Sequence, residues 1–293
     1  MLLGATTSLP GLLTSVIAAW EGQAGFAVSN AIGGIAAQTT FLAIADMTYR
    51  RVNLEHAAAS VPNLLQSVIL IMLISTVLFA RGTPEFTILG VHPATGLLLA
   101  AYLYGMNMAR QERDNPMWAP VETDETVVDD PDEDDGDSDL SLAALWRRFG
   151  MMAATVALSG YVIARTGLAL TEVTPLSGTV VGGLFTSVAS SLPELVTVIA
   201  AVRIGALTLA VSDIVGGNIF DVLFVGAADI AYRDGSIYHA LREQDLFLLA
   251  LTLMLAAILS AGLIHREAKG IGFEGFAILG LYIGGFIMLF TSG

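Results

Sequence analysis

Ser191-Leu192-Pro193-Glu194-Leu195, followed by Ala210-Val211-Ser212-Asp213 and Gly216-Gly217-Asn218-Ile219-Phe220-Asp221, rewrites an earlier stretch of the same chain. That stretch is Ser8-Leu9-Pro10-Gly11-Leu12, then Ala27-Val28-Ser29-Asn30 and Gly33-Gly34. Residues 5–50 recur at 188–233 without a gap, at a constant offset of 183 and with 17 identities in 46 positions. Both copies close alike, Ala45-Asp46 before Tyr49-Arg50 and Ala228-Asp229 before Tyr232-Arg233. A duplicated apolar segment marks transporters built from internal repeats, with the substrate site where the repeats meet.

Composition agrees with a membrane setting. Of the 293 residues 55% are apolar and only 14% charged, and the mean hydropathy is +0.71, too apolar for an ordinary soluble domain. Several apolar runs reach the ~20 residues that cross a bilayer as a helix. The expected fold is all-α, a polytopic transmembrane bundle with the lipid bilayer as its solvent. There is no cysteine, which excludes disulfides and thiolate metal sites. The uncharged start Met1-Leu2-Leu3-Gly4-Ala5-Thr6 lacks the basic region of a cleaved signal, so the first run is read as a spanning helix. The net charge of −14 gives no basis for nucleic-acid binding. It is concentrated at residues 112–139, which hold 13 Asp or Glu and one Arg. Such a stretch cannot bury a core and is expected to be a disordered, solvated linker.

Nine spans are expected, at roughly 4–20, 25–47, 58–80, 87–108, 148–168, 175–201, 207–231, 243–264 and 271–291. The chain thus divides into a first membrane half (1–108), an acidic linker (109–147) and a second membrane half (148–293). The offset sets the first span against the sixth and the second against the seventh. The helix at 148–168 has no partner ahead of residue 5, as if a five-helix unit were duplicated without the leading helix of its first copy. A homo-oligomer, or a partner chain supplying that helix, is one way to complete the unit. Five crossings separate the two copies, an odd number, so they run in opposite directions as inverted repeats. With the N-terminus inside, inner loops hold Arg50, Arg51, Arg110, Arg113, Arg147, Arg148, Arg203, Arg266 and Lys269, against Arg81, Arg165, Arg233 and Arg242 outside. This excess of inner cations predicts a cell-membrane protein with a cytoplasmic N-terminus and linker and an external C-terminus.

The chemistry is expected at the paired prolines. Pro10 and Pro193 sit in apolar helices, where each removes an amide donor and frees the carbonyl four residues back, Thr6 and Ala189. In lipid a freed carbonyl must find a partner or line a cavity. Hydroxyls flank both prolines: Thr6, Thr7 and Ser8 in one copy, Ser190 and Ser191 in the other. Carbonyls, hydroxyls and a carboxylate are hard ligands that suit Na⁺ or Ca²⁺. Glu194 follows Pro193 at mid-depth, where a carboxylate costs at least ~2.5 kcal/mol to insert and needs a cation, a proton or a partner. Asp221 lies deep in the next apolar helix, with Asn218 three residues before it on the same face. The glycine pairs read as close-packing patches, and Asn30 and Asp213 as capping or packing residues. Asp46 and Asp229 read as i,i+4 ion pairs with Arg50 and Arg233. His56, His92, His239 and His265 have no metal-ligand spacing. No nucleophile–base pair or phosphate loop is visible, so an enzyme is not expected, and no cofactor beyond transported ions.

At Ser191-Leu192-Pro193-Glu194-Leu195-Val196-Thr197 and at Ala210 to Asp221 the chain resembles the second α-repeat of the sodium/calcium exchanger (cation/calcium antiporter) family; residues 5–50 resemble the first. The resemblance implies ten helices in two inverted halves, a cytoplasmic loop between them, and Na⁺-driven Ca²⁺ export by alternating access. Carried over by motif, the family's ion ligands fall on Ser190, Ser191, Glu194 and Asp221, and on Thr7, Ser8, Gly11 and Gln38. The chain departs from the pattern in Gly11, where the family has a carboxylate, in Gly34 and Gly217, where it has serine, and in the absent first helix. Two function readings follow. One is a cation antiporter moving Ca²⁺ against Na⁺ or H⁺. The other is a non-transporting or truncated relative serving as a membrane scaffold or regulator.

Overall fold

Helix follows helix from Leu9 to Thr291. The structure is a computed structural model, and it describes residues 7–48, 53–58, 60–114, 117–118, 121, 141–265 and 272–291. In chain order these form α1 (Leu9–Trp20), α2 (Ala24–Thr48), the short α3 (Leu54–Ala57), α4 (Val61–Arg81), α5 (Pro93–Asp114) and α6 (Leu142–Val173). Then come α7 (Gly178–Ser190), α8 (Leu192–Ile204), α9 (Leu207–Ala231), α10 (Glu243–His265) and α11 (Phe273–Thr291). Local signals set several of these ends. Ser60, Ser141 and Ser177 each accept a backbone N–H of the first turn of α4, α6 and α7. Gly205, with φ of 86°, ends α8 in the left-handed conformation that only glycine adopts without strain.

Each of the nine expected stretches contains a helix among the described residues, although the fourth becomes helical only at Pro93. Among the described residues six helices are long and apolar enough to cross a membrane alone, and the bent pair α7–α8 makes a seventh. The remaining two stretches hold α1, only 12 residues long among those described, and the 22-residue α5. The expected linker at 109–147 is shorter than its composition suggests: α5 continues to Asp114 and α6 begins at Leu142. Most of the acidic run lies outside the described residues, as do Thr6 and Arg50.

The repeat extends beyond the matching sequence. The order α1, α2, α3, α4, α5 is followed again by α7–α8, α9, a turn at 237–240, α10 and α11, and α6 has no counterpart among the described residues. One bond repeats at the same offset: Leu54 N–H donates to Asp46 Oδ1 at 2.8 Å, and Ile237 N–H to Asp229 Oδ1 at 3.3 Å. Asp229 also accepts from His92 N–H and Thr95 Oγ1. Asp46 and Asp229 therefore fasten the turns that follow α2 and α9. No ion pair with Arg233 forms, because these backbone donors already occupy the carboxylate.

The core is centred on α2, almost wholly buried and packed against α1, α7, α8, α9, α10 and α11. By contrast α6 and α11 present Trp146, Phe149, Met152, Tyr161, Phe276 and Ile287 outward, the exposed apolar belt that lipid covers. The tightest approach is between α2 and the π-helical part of α7, Val181–Thr186. There Gly33 faces the Gly183 backbone and Gly182 faces Phe26 and Asn30.

Beyond the end of α2, Glu55 of α3 is fully buried, and its Oε2 has no hydrogen-bond partner. Burial, together with the nearby charges of Asp46 and Glu274, pushes its carboxyl from 4.5 up to about 8. The native state then holds a proton that the unfolded chain releases near pH 4.5. Stability falls as pH rises through that window, and the full cost remains above pH 8. Glu55→Gln is expected to flatten this decline and to raise the melting temperature at pH 9. Thermal unfolding in detergent at pH 6 and pH 9 checks it; equal pH slopes for both proteins would contradict it.

Candidate ion site

The break between α7 and α8 creates the site. The two helices meet at 46°, and Ser191 ends one and precedes the other. Pro193 lies in the first turn of α8, where its missing N–H costs nothing. Likewise Pro10 opens α1. The 46° bend at Ser191 thus lies two residues before Pro193, while the residues ahead of Thr7 on the far side of Pro10 lie outside the described ones. Glu194 stands in the first turn of α8 and is buried. Asp221 stands where α9 is interrupted at Val222, and is buried as well.

Gln38 of α2 bridges Asp221 and Ser191. Its Nε2 donates to Asp221 Oδ2 at 2.6 Å and to Ser191 Oγ at 3.4 Å. Gln38 and Asp221 are repeat mates, 183 residues apart, so corresponding positions of the two copies touch. Ser8 Oγ donates to Glu194 Oε1 at 3.5 Å. Ser8 also reaches Asp221, and Thr7 reaches Glu194. Between them lies a cavity of about 10 Å³, room for about one water-sized occupant. Ser8, Gln38, Ser190, Ser191, Glu194 and Asp221 line it; Thr7 is outside the lining. Among the described residues no Lys, Arg or His lines it either.

The oxygens left over define its chemistry. Glu194 Oε2, Asp221 Oδ1 and Gln38 Oε1 are buried without a hydrogen-bond partner. An unpaired buried acceptor costs about 1–3 kcal/mol, more for a charged group, so this set is poised for a cation. Among the described residues no group of three or more His, Asp or Glu could hold a metal. The anionic share is therefore two carboxylates, with hydroxyl and amide oxygens supplementing them. Asn218 is buried nearby but outside the cavity lining; its Nδ2 donates to Thr39 Oγ1 at 3.2 Å, fastening α9 to α2.

Gly11 and Phe224 were not readable as a pair. A Cβ at Gly11 would meet Phe224 Cε2 at 3.1 Å and Ser190 Oγ at 3.6 Å. The Phe224 ring thus fills space beside the position that corresponds to Glu194. The sequence carried only a faint signal of this, in that Phe41 and Phe224 are repeat mates. Asn30, expected as a cap or packing residue, packs: its Nδ2 donates to Gly11 O and Ser15 Oγ, both at 3.0 Å.

The sequence profile of the sodium/calcium exchanger protein family matches residues 1–109 and 145–291. The inner membrane protein YrbG of Escherichia coli is 30% identical over 152 residues, covering 52% of this chain and 44% of that protein; the match thus spans less than half of that relative's length. CaxA of Alkalimonas amylolytica is 25% identical over 318 aligned positions, covering 100% of this chain and 88% of that one. Among solved structures, native YfkE superposes with a TM-score of 0.67 at 15% identity, covering 99% of this chain and 83% of that chain. The H⁺/Ca²⁺ exchanger CAX gives 0.65 at 13%, with 98% and 79% covered. The sodium-calcium exchanger NCX_Mj, soaked with zero Na⁺ and Ca²⁺, gives 0.59 at 18%, with 99% and 85% covered. At these identities the structural likeness speaks for the fold alone.

Proposed function

Since the chain belongs to the sodium/calcium exchanger protein family, we propose that it is a membrane antiporter that carries Ca²⁺ against Na⁺ or H⁺ by alternating access, through the site between α8, α9, α1 and α2. The observation that carries this reading is the set of buried oxygens without donors, on Glu194, Asp221 and Gln38. Two carboxylates beside hydroxyls and an amide oxygen favour a hard cation. Glu194 and Asp221 supply the negative charge, Gln38 Oε1 a neutral ligand, and Ser8, Ser190, Ser191 and Thr7 hydroxyl oxygens or their hydrogen bonds. A membrane scaffold has no use for such a set, which destabilises the bundle unless a cation or protons complete it.

Broken helices that meet at mid-depth suit alternating access, because halves on either side can rock about a shared site. The inner excess of Arg and Lys supports a cytoplasmic N-terminus and acidic linker, with the C-terminus outside. The test is ion flux in proteoliposomes. Ca²⁺ uptake is expected when a Na⁺ or a proton gradient is imposed in the opposite direction, and the effective gradient identifies the counter-ion. Absence of Ca²⁺ movement under either gradient would overturn the reading.

A further inference from the structure

The two flanks of the central site are built from repeat mates, yet one is sealed and the other is not. On the first flank Thr14, Ser29 and Asn30 are fully buried. Thr14 Oγ1 donates to Pro10 O at 2.8 Å, and Thr186 Oγ1 donates to Asn30 Oδ1 at 2.7 Å. Gly33 lies against the Gly183 backbone, so nothing passes there without moving helices. On the second flank the mates Thr197, Ser212, Asp213 and Gly216 are only half-buried.

This second flank forms a polar file. Asp213, Gly217 and Asp221 follow at i, i+4 and i+8 on α9, which puts them on one face over roughly 12 Å. Facing them on α8, Thr197 Oγ1 lies 2.9 Å from Glu194 O and 3.4 Å from Asp213 Oδ2. Between Asp213 and Asp221 the intervening residue is glycine, and the nearest atom to a Cβ there is the unpartnered Gln38 Oε1, at 3.5 Å. Gln66 of α4 looks onto the adjacent Gly216, its Oε1 being the nearest atom to a Cβ there at 4.0 Å and without a partner. Asp213 stands about two turns into α9 and is only partly buried, at a depth where lipid would exact several kcal/mol for its charge.

We propose that Asp213 forms a second cation position, a waiting site from which Ca²⁺ passes along the α8–α9 face to Glu194 and Asp221. Its repeat mate Asn30 is neutral and locked in hydrogen bonds, so only one flank has this carboxylate. The waiting site opens toward the turn after Ile204, the cytoplasmic end under the proposed orientation. The inference rests on the transport reading for its purpose, and on its own geometry for cation binding.

Two measurements test it. In vesicles of defined orientation, Asp213→Asn is expected to raise the KM for Ca²⁺ presented on the α8–α9 turn side about fivefold, the contribution of one carboxylate in a water-filled space. The kcat and the KM from the other side stay unchanged, and Asp213→Glu restores the wild-type value. An unchanged KM, or equal increases on both sides, overturns the proposal. The second measurement does not need transport. In a Glu194→Gln background, terbium luminescence is expected to show weak binding, displaced by Ca²⁺, that Asp213→Asn removes. Binding unaffected by Asp213→Asn overturns the waiting site whether or not the wild type transports, whereas loss of flux with that binding intact overturns only the transport reading.

Discussion

Glu194→Gln is expected to abolish Ca²⁺-coupled transport while leaving a folded protein. Glu194 supplies one of two carboxylates at the site, and its Oε2 has no partner within the protein. At contact distance, with the screening typical of protein sites, one unit charge on another is worth about 4 kcal/mol, roughly a thousandfold in affinity. A divalent ion loses more. Gln keeps the side chain's length and its place near Ser8, and it removes the cost of burying a charge. The variant is therefore expected to melt no earlier than wild type without Ca²⁺, and to lose the rise in melting temperature that millimolar Ca²⁺ gives wild type. Flux in proteoliposomes and cation-dependent melting check the two halves of this expectation. Wild-type flux from Glu194→Gln would remove Glu194 from the ion path.

Gly33→Ala is expected to cripple folding, whereas Gly216→Ala at the matching position of the second copy is expected to be tolerated. A Cβ on Gly33 would run into the backbone of Gly183, coming within 2.6 Å of its Cα. Backbone cannot swing aside as a side chain does, so α2 and α7 would have to separate. Overpacking of this kind costs about 3 kcal/mol or more, and it falls on the central helix of the bundle. A Cβ on Gly216 meets nothing nearer than Gln66 Oε1 at 4.0 Å. Yield of monodisperse protein and melting temperature in detergent separate the two variants. If both behave alike, the close contact between α2 and α7 is not as described.

The motif containing Glu194 and Asp221 led to the site because chemistry that is costly in lipid is visible without coordinates. A carboxylate inside an apolar run demands an explanation wherever the helix packs. Six of the seven expected ligand residues line one cavity, and the seventh, Thr7, reaches Glu194 from beside it. The hidden part concerned neighbours. Phe224 gave no sign that it stands beside Gly11, since an aromatic residue in an apolar helix is ordinary. Asp46 and Asp229 looked like ion pairs with arginines four residues on, yet the backbone N–H groups of Ile237 in the following turn and of His92 just ahead of α5 reached Asp229 first. Local spacing names a candidate partner; it does not count the competitors that folding brings up.

The sequence by itself determined the membrane setting, the duplicated unit, the two buried carboxylates and the inequality between Gly11 and Glu194. All of these are properties of residue type and order, fixed by the cost of placing polar groups in an apolar medium. Only the tertiary structure decided that Gln38 touches its own repeat mate Asp221, that Gly33 must be glycine while Gly216 need not be, and that the Asn30 flank is sealed while the Asp213 flank is half-open. Equivalent residues in two copies begin with equal standing. Which of them is buried depends on how deeply each copy's helices interlock, and packing across 183 residues leaves no trace in either local stretch.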